Sequence, residues 1–188
     1  MILKNINPKT EASFSIANRS YRFFWGIIQS SLFKYSPKTF FNFRNLLLKI
    51  FGAKIGKNTH IYNGVKIWSP MNLIVGNNVG IGNEVYLYSM DQIIIDDGVD
   101  VSYGSSLFTG SHDYNNENFQ LISKPIILKK NVWICAECFI HPGVQVNEGC
   151  VVGARSVVTK SINDEYAVFA GNPAKFIKKR KKPFKNNL

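Results

Sequence analysis

From residue 128 an aliphatic side chain returns at every sixth position: Leu128, Ile134, Ile140, Val146, Val152 and Val158. Four places after each stands a second, usually small residue, in the order Val132, Cys138, Val144, Cys150, Ser156 and Ile162. The same beat runs earlier through Ile55, Ile61 and Ile67, through Val75, Ile81 and Leu87, and through Ile95, Val101 and Leu107, with short insertions between the runs. A period of six matches neither the 3.6-residue helix nor the two-residue alternation of a long strand. It matches short strands joined by tight turns, the first residue of each hexad facing inward. Three hexads then close one triangular coil of about 18 residues, and coils stack at the strand spacing of about 4.8 Å. Glycine and asparagine in "GKN", "GNN", "IGNE" and "DDG" suit corners that need positive φ. Residues 53–170 are therefore expected to form an all-β solenoid; a conventional β-sandwich, the alternative, would show irregular strand lengths.

A chain of 188 residues has room for one sizeable core and not for two. The apolar run Phe23–Ile28 is far too short to span a bilayer, and no secretory signal is visible. A cytoplasmic location is expected. The net charge of +11 is unevenly placed. Residues 1–50 hold eight Lys/Arg and one acid, residues 171–188 seven Lys/Arg and no acid, and residues 51–170 eight bases and eleven acids. A mildly acidic body with two basic ends speaks against a nucleic-acid-binding face. It leaves anionic small molecules, a membrane surface or plain solubility.

Three cysteines without a secretory signal do not suggest a disulfide framework. Cys135-Ala-Glu-Cys138 has the spacing of a metal or redox pair. Yet Cys138 occupies an inward slot, Cys135 points elsewhere beside inward Ile134, and Cys150 falls on another face. Packing is the expected role, and no metal site is expected. The histidines, His60, His112 and His141, are too scattered for a three-histidine metal centre.

Residues 13–50 carry no hexads and read as two amphipathic helices. Ser36 is the expected N-cap of the second, Pro37 its first residue, and Gly52 its end. This helical arm, residues 1–52, either packs on the end of the coil, hiding strand edges, or rests on an anionic membrane. A basic segment, residues 171–188, follows the coil.

"VWICAECFIHPGVQVNEGCVVGARSVVTKSI" followed by "AGNPAKFIKKR" resembles the C-terminal signature of the hexapeptide-repeat acyltransferases. "FGAKIGKNTHIYNGVKIWSPMNLIVGNNVGIGNEVYLYSMDQIIIDDGVDVSYGSSLFTGSHDY" narrows the resemblance to colanic-acid and capsule-type polysaccharide O-acetyltransferases. The resemblance implies a left-handed parallel β-helix, a homotrimer, and acetyl-CoA held as co-substrate in a groove between neighbouring prisms. His112, in the loop 108–125, matches the family's catalytic histidine.

Moving an acetyl group from a thioester to a sugar hydroxyl needs a base for the hydroxyl proton. Imidazole, with an ordinary pKa of about 6.5, suits that work near neutral pH. Direct attack needs no serine or cysteine nucleophile, and a backbone amide is the expected oxyanion partner. By the same resemblance Trp133 lies beside the pantetheine arm and Ala136 offers a backbone contact. Ala154, Thr159 and Lys160 match the family's CoA-contacting stretch, and Lys175 and Lys178 meet the cofactor's phosphates. Arg155 stands where the family usually has glycine; it either strains the backbone or adds a phosphate contact. Packing for Trp133 and a solvated tail for Lys178–Lys182 are the plainer roles.

Tyr88 and Asp91, in the insertion "LYSMDQ", offer an aromatic face and a carboxylate to a sugar, or simply build a turn. His60 is expected at a surface turn and His141 on the surface or along the CoA groove. The expected reaction is acetyl transfer to an exopolysaccharide, capsule or lipid-linked glycan precursor. A free small sugar or amino sugar as acceptor, or a silent trimeric scaffold, is the alternative.

Overall fold

Each hexad lays down one short strand, and these hexad strands pair in parallel, each with its counterpart one coil away. The computed structural model describes residues 6–182; the first five residues of the arm and the last six of the basic segment lie outside them. Three sheets form the faces of a prism. The first face holds Lys54–Ile55, Leu73–Val75, Ile93–Ile95, Ile126–Leu128 and Gln145–Val146. The second runs from His60–Ile61 through Gly80–Ile81, Asp100–Val101, Trp133–Ile134 and Val151–Val152 to Ala167–Ala170. The third holds Lys66–Ile67, Tyr86–Tyr88, Ser106–Phe108, Phe139–Ile140 and Val157–Val158.

Register stacks like on like. Ile55, Val75, Ile95, Leu128 and Val146 form one column, each the Cα partner of the next. These side chains and their equivalents on the other faces are buried, so the hexad residues are the core. Each fully buried Leu or Ile contributes roughly 1.5–3 kcal/mol relative to exposure. Polar residues in the small slots are satisfied locally. Ser105 Oγ donates to the Cys135 carbonyl at 2.7 Å, and Ser156 Oγ to that of Gly153 at 2.6 Å.

Corners repeat as faithfully as strands. Asn58, Asn78, Gly98, Asn131 and Gly149 take positive φ one above another, as do Glu84, Gly104, Glu137 and Arg155. Arg155 thus adopts the left-handed conformation of its stack (φ 59°) despite its side chain. Its Nε pairs with Glu137 Oε2 at 2.6 Å, one coil below.

Between Ile55 and Val158 the insertions all enter at one corner, where the third face turns into the first. Along the third face, Ile67, Leu87 and Leu107 are twenty residues apart, whereas Ile140 and Val158 are eighteen apart. The step from Leu107 to Ile140 is thirty-three, and the surplus is the loop that carries His112.

The arm packs on the open end of the first coil. Helix α1 spans Ile16–Ile28, with Ser15 Oγ accepting from the Asn18 amide, and runs on into a π-helical turn, Gln29–Phe33. Helix α2 spans Phe41–Ile50 and ends at Gly52, φ 88°. Side chains from both satisfy strand-edge groups of the coil. Trp25 Nε1 donates to the Ile67 carbonyl at 2.7 Å, and Asn45 Nδ2 to that of Thr59 at 2.8 Å. Gln29 Oε1 accepts from the Ile67 amide at 2.7 Å.

Ser36 and Pro37 do not start α2. Ser36 Oγ donates to the Phe33 carbonyl and accepts from Arg44 Nη1, while the Pro37 carbonyl accepts from the same nitrogen. The buried Arg44 guanidinium claims the groups that would otherwise have capped the helix, and α2 begins four residues later. At the other end, Lys175–Lys179 folds back antiparallel on Ala167–Ala170 and extends the second face.

Candidate active site

The corner that takes the insertions also collects aromatic rings. Trp68, Tyr88, Phe108 and His141 occupy equivalent places in successive coils, each just past an inward residue of the third face. Trp68 meets Tyr88 edge-on with centroids 5.8 Å apart, and Tyr88 stacks on Phe108 at 4.7 Å. Phe139 continues the contact, 5.0 Å from Phe108 and 5.3 Å from His141. Thr159 holds the same place one coil further on, with Lys160 beside it.

The His112 loop leaves from this ladder as a β-hairpin, Gly110–His112 paired antiparallel with Leu121–Ser123. Its root is tied to the coil beneath. Buried Thr109 Oγ1 donates to the Tyr88 carbonyl and accepts from the Asp91 amide, both at 2.8 Å. Asp91 Oδ2 accepts from Ser123 Oγ at 3.0 Å, so the carboxylate clasps the returning strand. Gly110 lies so close to this floor that an added Cβ would come within 2.0 Å of Met90 Sδ and 3.2 Å of the Tyr88 ring.

His112 is half-buried and held on two sides by one residue. Its ring stacks on Phe119 at 4.5 Å with 13° between planes, and its Nδ1 lies 2.8 Å from the Phe119 carbonyl oxygen. A carbonyl can only accept, so Nδ1 carries the proton. In the neutral ring with that tautomer, Nε2 carries the lone pair, the form a base needs. Phe119 sits at φ 50°, which turns its carbonyl back onto the histidine.

The residues matched to the cofactor lie mostly elsewhere on the prism. Trp133 projects outward from the second face, 46% exposed, its Nε1 donating to Ser102 Oγ at 2.9 Å. Ala136 and Ala154 stack one coil apart at the corner between the second and third faces; the Ala136 carbonyl accepts from the Arg155 amide at 2.9 Å. Lys175 and Lys178 are exposed on the final strand of the second face. Within one chain, Tyr88, Asp91, His112, Thr159 and Lys160 share one corner. Trp133, Ala136, Ala154, Lys175 and Lys178 lie across or beyond the third face from it.

The chain is 40% identical over 156 residues to colanic acid biosynthesis acetyltransferase WcaF of Escherichia coli strain K12, spanning 83% of this chain and 85% of that one. It belongs to the hexapeptide-repeat acetyltransferases. Galactoside O-acetyltransferase of the same organism is 30% identical over 138 residues, covering 72% of this chain and 68% of that protein. The fold is that of a hexapeptide-repeat acetyltransferase of Vibrio cholerae O1 biovar eltor, VCA0836, solved with acetyl coenzyme A. Its TM-score is 0.81 at 22% identity, over 89% of this chain and 91% of that one. No family model matches the chain. The coil is accordingly a left-handed parallel β-helix.

Cys138 Sγ donates to the Gly153 carbonyl and Cys150 Sγ to that of Asp164. Burial pushes the Cys135, Cys138 and Cys150 thiols above their ordinary pKa, away from the reactive thiolate. His60 is a strand residue rather than a turn residue, its ring stacked on Phe41 at 4.4 Å. Sequence reasoning missed Phe119, Thr109 and Gly110. The glycine inside "TGSHD" was the available signal for close approach; a phenylalanine at positive φ has none.

Proposed function

We propose that this acetyltransferase moves the acetyl group of acetyl-CoA onto a sugar hydroxyl of an exopolysaccharide, capsule or lipid-linked glycan precursor, with His112 as general base. The observation that carries the reading is the Nδ1–Phe119 carbonyl contact, which presents Nε2 as a proton acceptor at a corner lined by aromatic rings. Nε2 takes the hydroxyl proton as the sugar oxygen bonds to the thioester carbon. The carbon–sulfur bond breaks, and the imidazolium returns the proton to the departing thiolate, yielding the ester and free CoA. Acetyl-CoA as donor is supported by the VCA0836 complex. A polysaccharide acceptor is supported by the likeness to WcaF.

Tyr88 supplies a ring for the sugar, and Asp91 sets the hairpin over it. Trp133, Ala136, Ala154, Thr159 and Lys160 line the pantetheine path, and Lys175 and Lys178 meet the phosphates. Because these groups fall on different edges of one prism, each site is completed by a neighbouring chain in a homotrimer. The protein is placed in the cytoplasm, peripheral to the membrane on which such glycans are built.

Thiol release from acetyl-CoA with a panel of glycans and free sugars tests the reading. His112→Ala should lose about 10²–10⁴-fold of the sugar-dependent rate. Turnover equal to wild type would remove His112 as base. A preference for free galactosides would shift the acceptor towards that of the galactoside relative.

A further inference from the structure

The helical arm turns a mixed polar and apolar side to the coil and leaves a second, apolar side uncovered. In α1 the residues turned to the coil include Asn18, Tyr21, Trp25 and Ile28; on the opposite side Ile16, Phe23, Phe24 and Ile27 recur at helical spacing and are exposed. In α2 the buried side is Arg44, Asn45 and Leu48, and the outer stripe is Phe43, Leu46 and Ile50. A shallow cleft of about 330 Å³, lined by Leu32, Tyr35, Phe40 and Phe43 among others, joins the turn after α1 to the start of α2. Of the eighteen large hydrophobic side chains exposed among the described residues, ten lie between Ile16 and Ile50. A patch of this concentration marks a surface that another phase or partner covers.

Charge identifies the occupant. Exposed Arg19, Lys34, Lys38 and Lys49 are interspersed with the apolar stripe, and residues 12–83 contain no aspartate or glutamate. Self-association through this face would bring cations against cations. Apolar side chains flanked by uncompensated bases are the composition of a helix lying in the interface of an anionic bilayer. No helix among the described residues is long and apolar enough to cross one.

We infer that the outer face of the arm docks the protein on an anionic phospholipid surface, Phe23, Phe24, Ile27 and Leu46 entering the acyl boundary and the bases meeting phosphates. The inference deepens the peripheral placement and rests on it, but on none of the chemistry at His112. Its consequence for that chemistry is short reach. Arg22 of α1 lies 4.3 Å over the ring of Trp68, the first rung of the ladder from which the hairpin leaves. Two coil steps, about 10 Å at strand spacing, separate that rung from Phe108. With the thickness of one helix added, about 10 Å, a glycan extended from a lipid carrier can span the gap to the corner.

Flotation of the full chain with vesicles tests this, using phosphatidylglycerol–phosphatidylcholine against pure phosphatidylcholine at low and high salt. Binding should require the anionic lipid, weaken in high salt, and fall at least tenfold in Phe23→Ser/Phe24→Ser. Both residues are more than 60% exposed, so the variant keeps its fold and its thiol release with a soluble acceptor. Equal flotation of variant and wild type, or none on anionic vesicles, overturns the inference. So does a change in the variant's sedimentation mass, which would make the face a contact between copies. Flotation without any acetyl-CoA turnover would leave docking intact and defeat the acetyl-transfer reading instead.

Discussion

Phe119 holds His112 from two sides, its backbone carbonyl against Nδ1 and its ring stacked on the imidazole. The positive φ of Phe119 costs of order 1–3 kcal/mol and persists because the hairpin imposes it. Phe119→Ala keeps the carbonyl and loses the stacked face, so kcat should fall by roughly an order of magnitude while KM for acetyl-CoA holds; steady-state kinetics reads both. Gly110→Ala should do more, since its methyl meets Met90 and the Tyr88 ring and lifts the hairpin from its floor. The cysteines give a pH-dependent expectation. Their pKa values are raised by burial, so the stability they contribute is fully present below the ordinary thiol pKa and is lost as pH climbs through the raised, folded-state one. Thiol labelling of the native protein should lag that of free cysteine at mildly alkaline pH and catch up in denaturant.

Among the elements, the joint between arm and coil is the most exacting. Arg44 is fully buried and donates to the carbonyls of Ile61, Pro37 and Lys38 and to Ser36 Oγ. Its charge is met by backbone dipoles and the face of Phe41, 5.0 Å away. Arg44→Ala would orphan those acceptors and open a cavity, costing about 2–4 kcal/mol. Chemical denaturation should show it, with a smaller loss for exposed Lys49→Ala. The same joint explains why Ser36-Pro37, a sound helix start by local chemistry, does not start one: its partner is eight residues away and arrives only when α2 has packed.

At the scale of the whole molecule, one prism separates the His112 corner from the Trp133 side by the width of its third face. A site built from two chains predicts complementation. His112→Ala and Trp133→Ala are each expected to be poor enzymes. Mixed one to one and reassembled, they should regain activity in about a quarter of their sites, where an intact corner meets an intact groove. Sedimentation should give three times the chain's 21.3 kDa. Activity no higher than the sum of the two parents would place the whole site in one chain.

The hexad columns, the corner stacks and the position of His112 at a break in the repeat were legible from the residues alone. Burial in a solenoid is decided within six residues, so Leu128, Ile134 and Ile140 declare their inward faces without distant partners. The two helices declared themselves by periodicity, and Gly52 by its place after the last turn. Tertiary structure decided what distance conceals: the corner that gathers the insertions, the hairpin within the loop, and the carbonyl of Phe119 against Nδ1. It also decided how Arg44 reaches Ile61 across seventeen residues. Those depend on chain segments meeting after the coil has closed, and no local spacing encodes a contact whose partner is chosen by the packing itself.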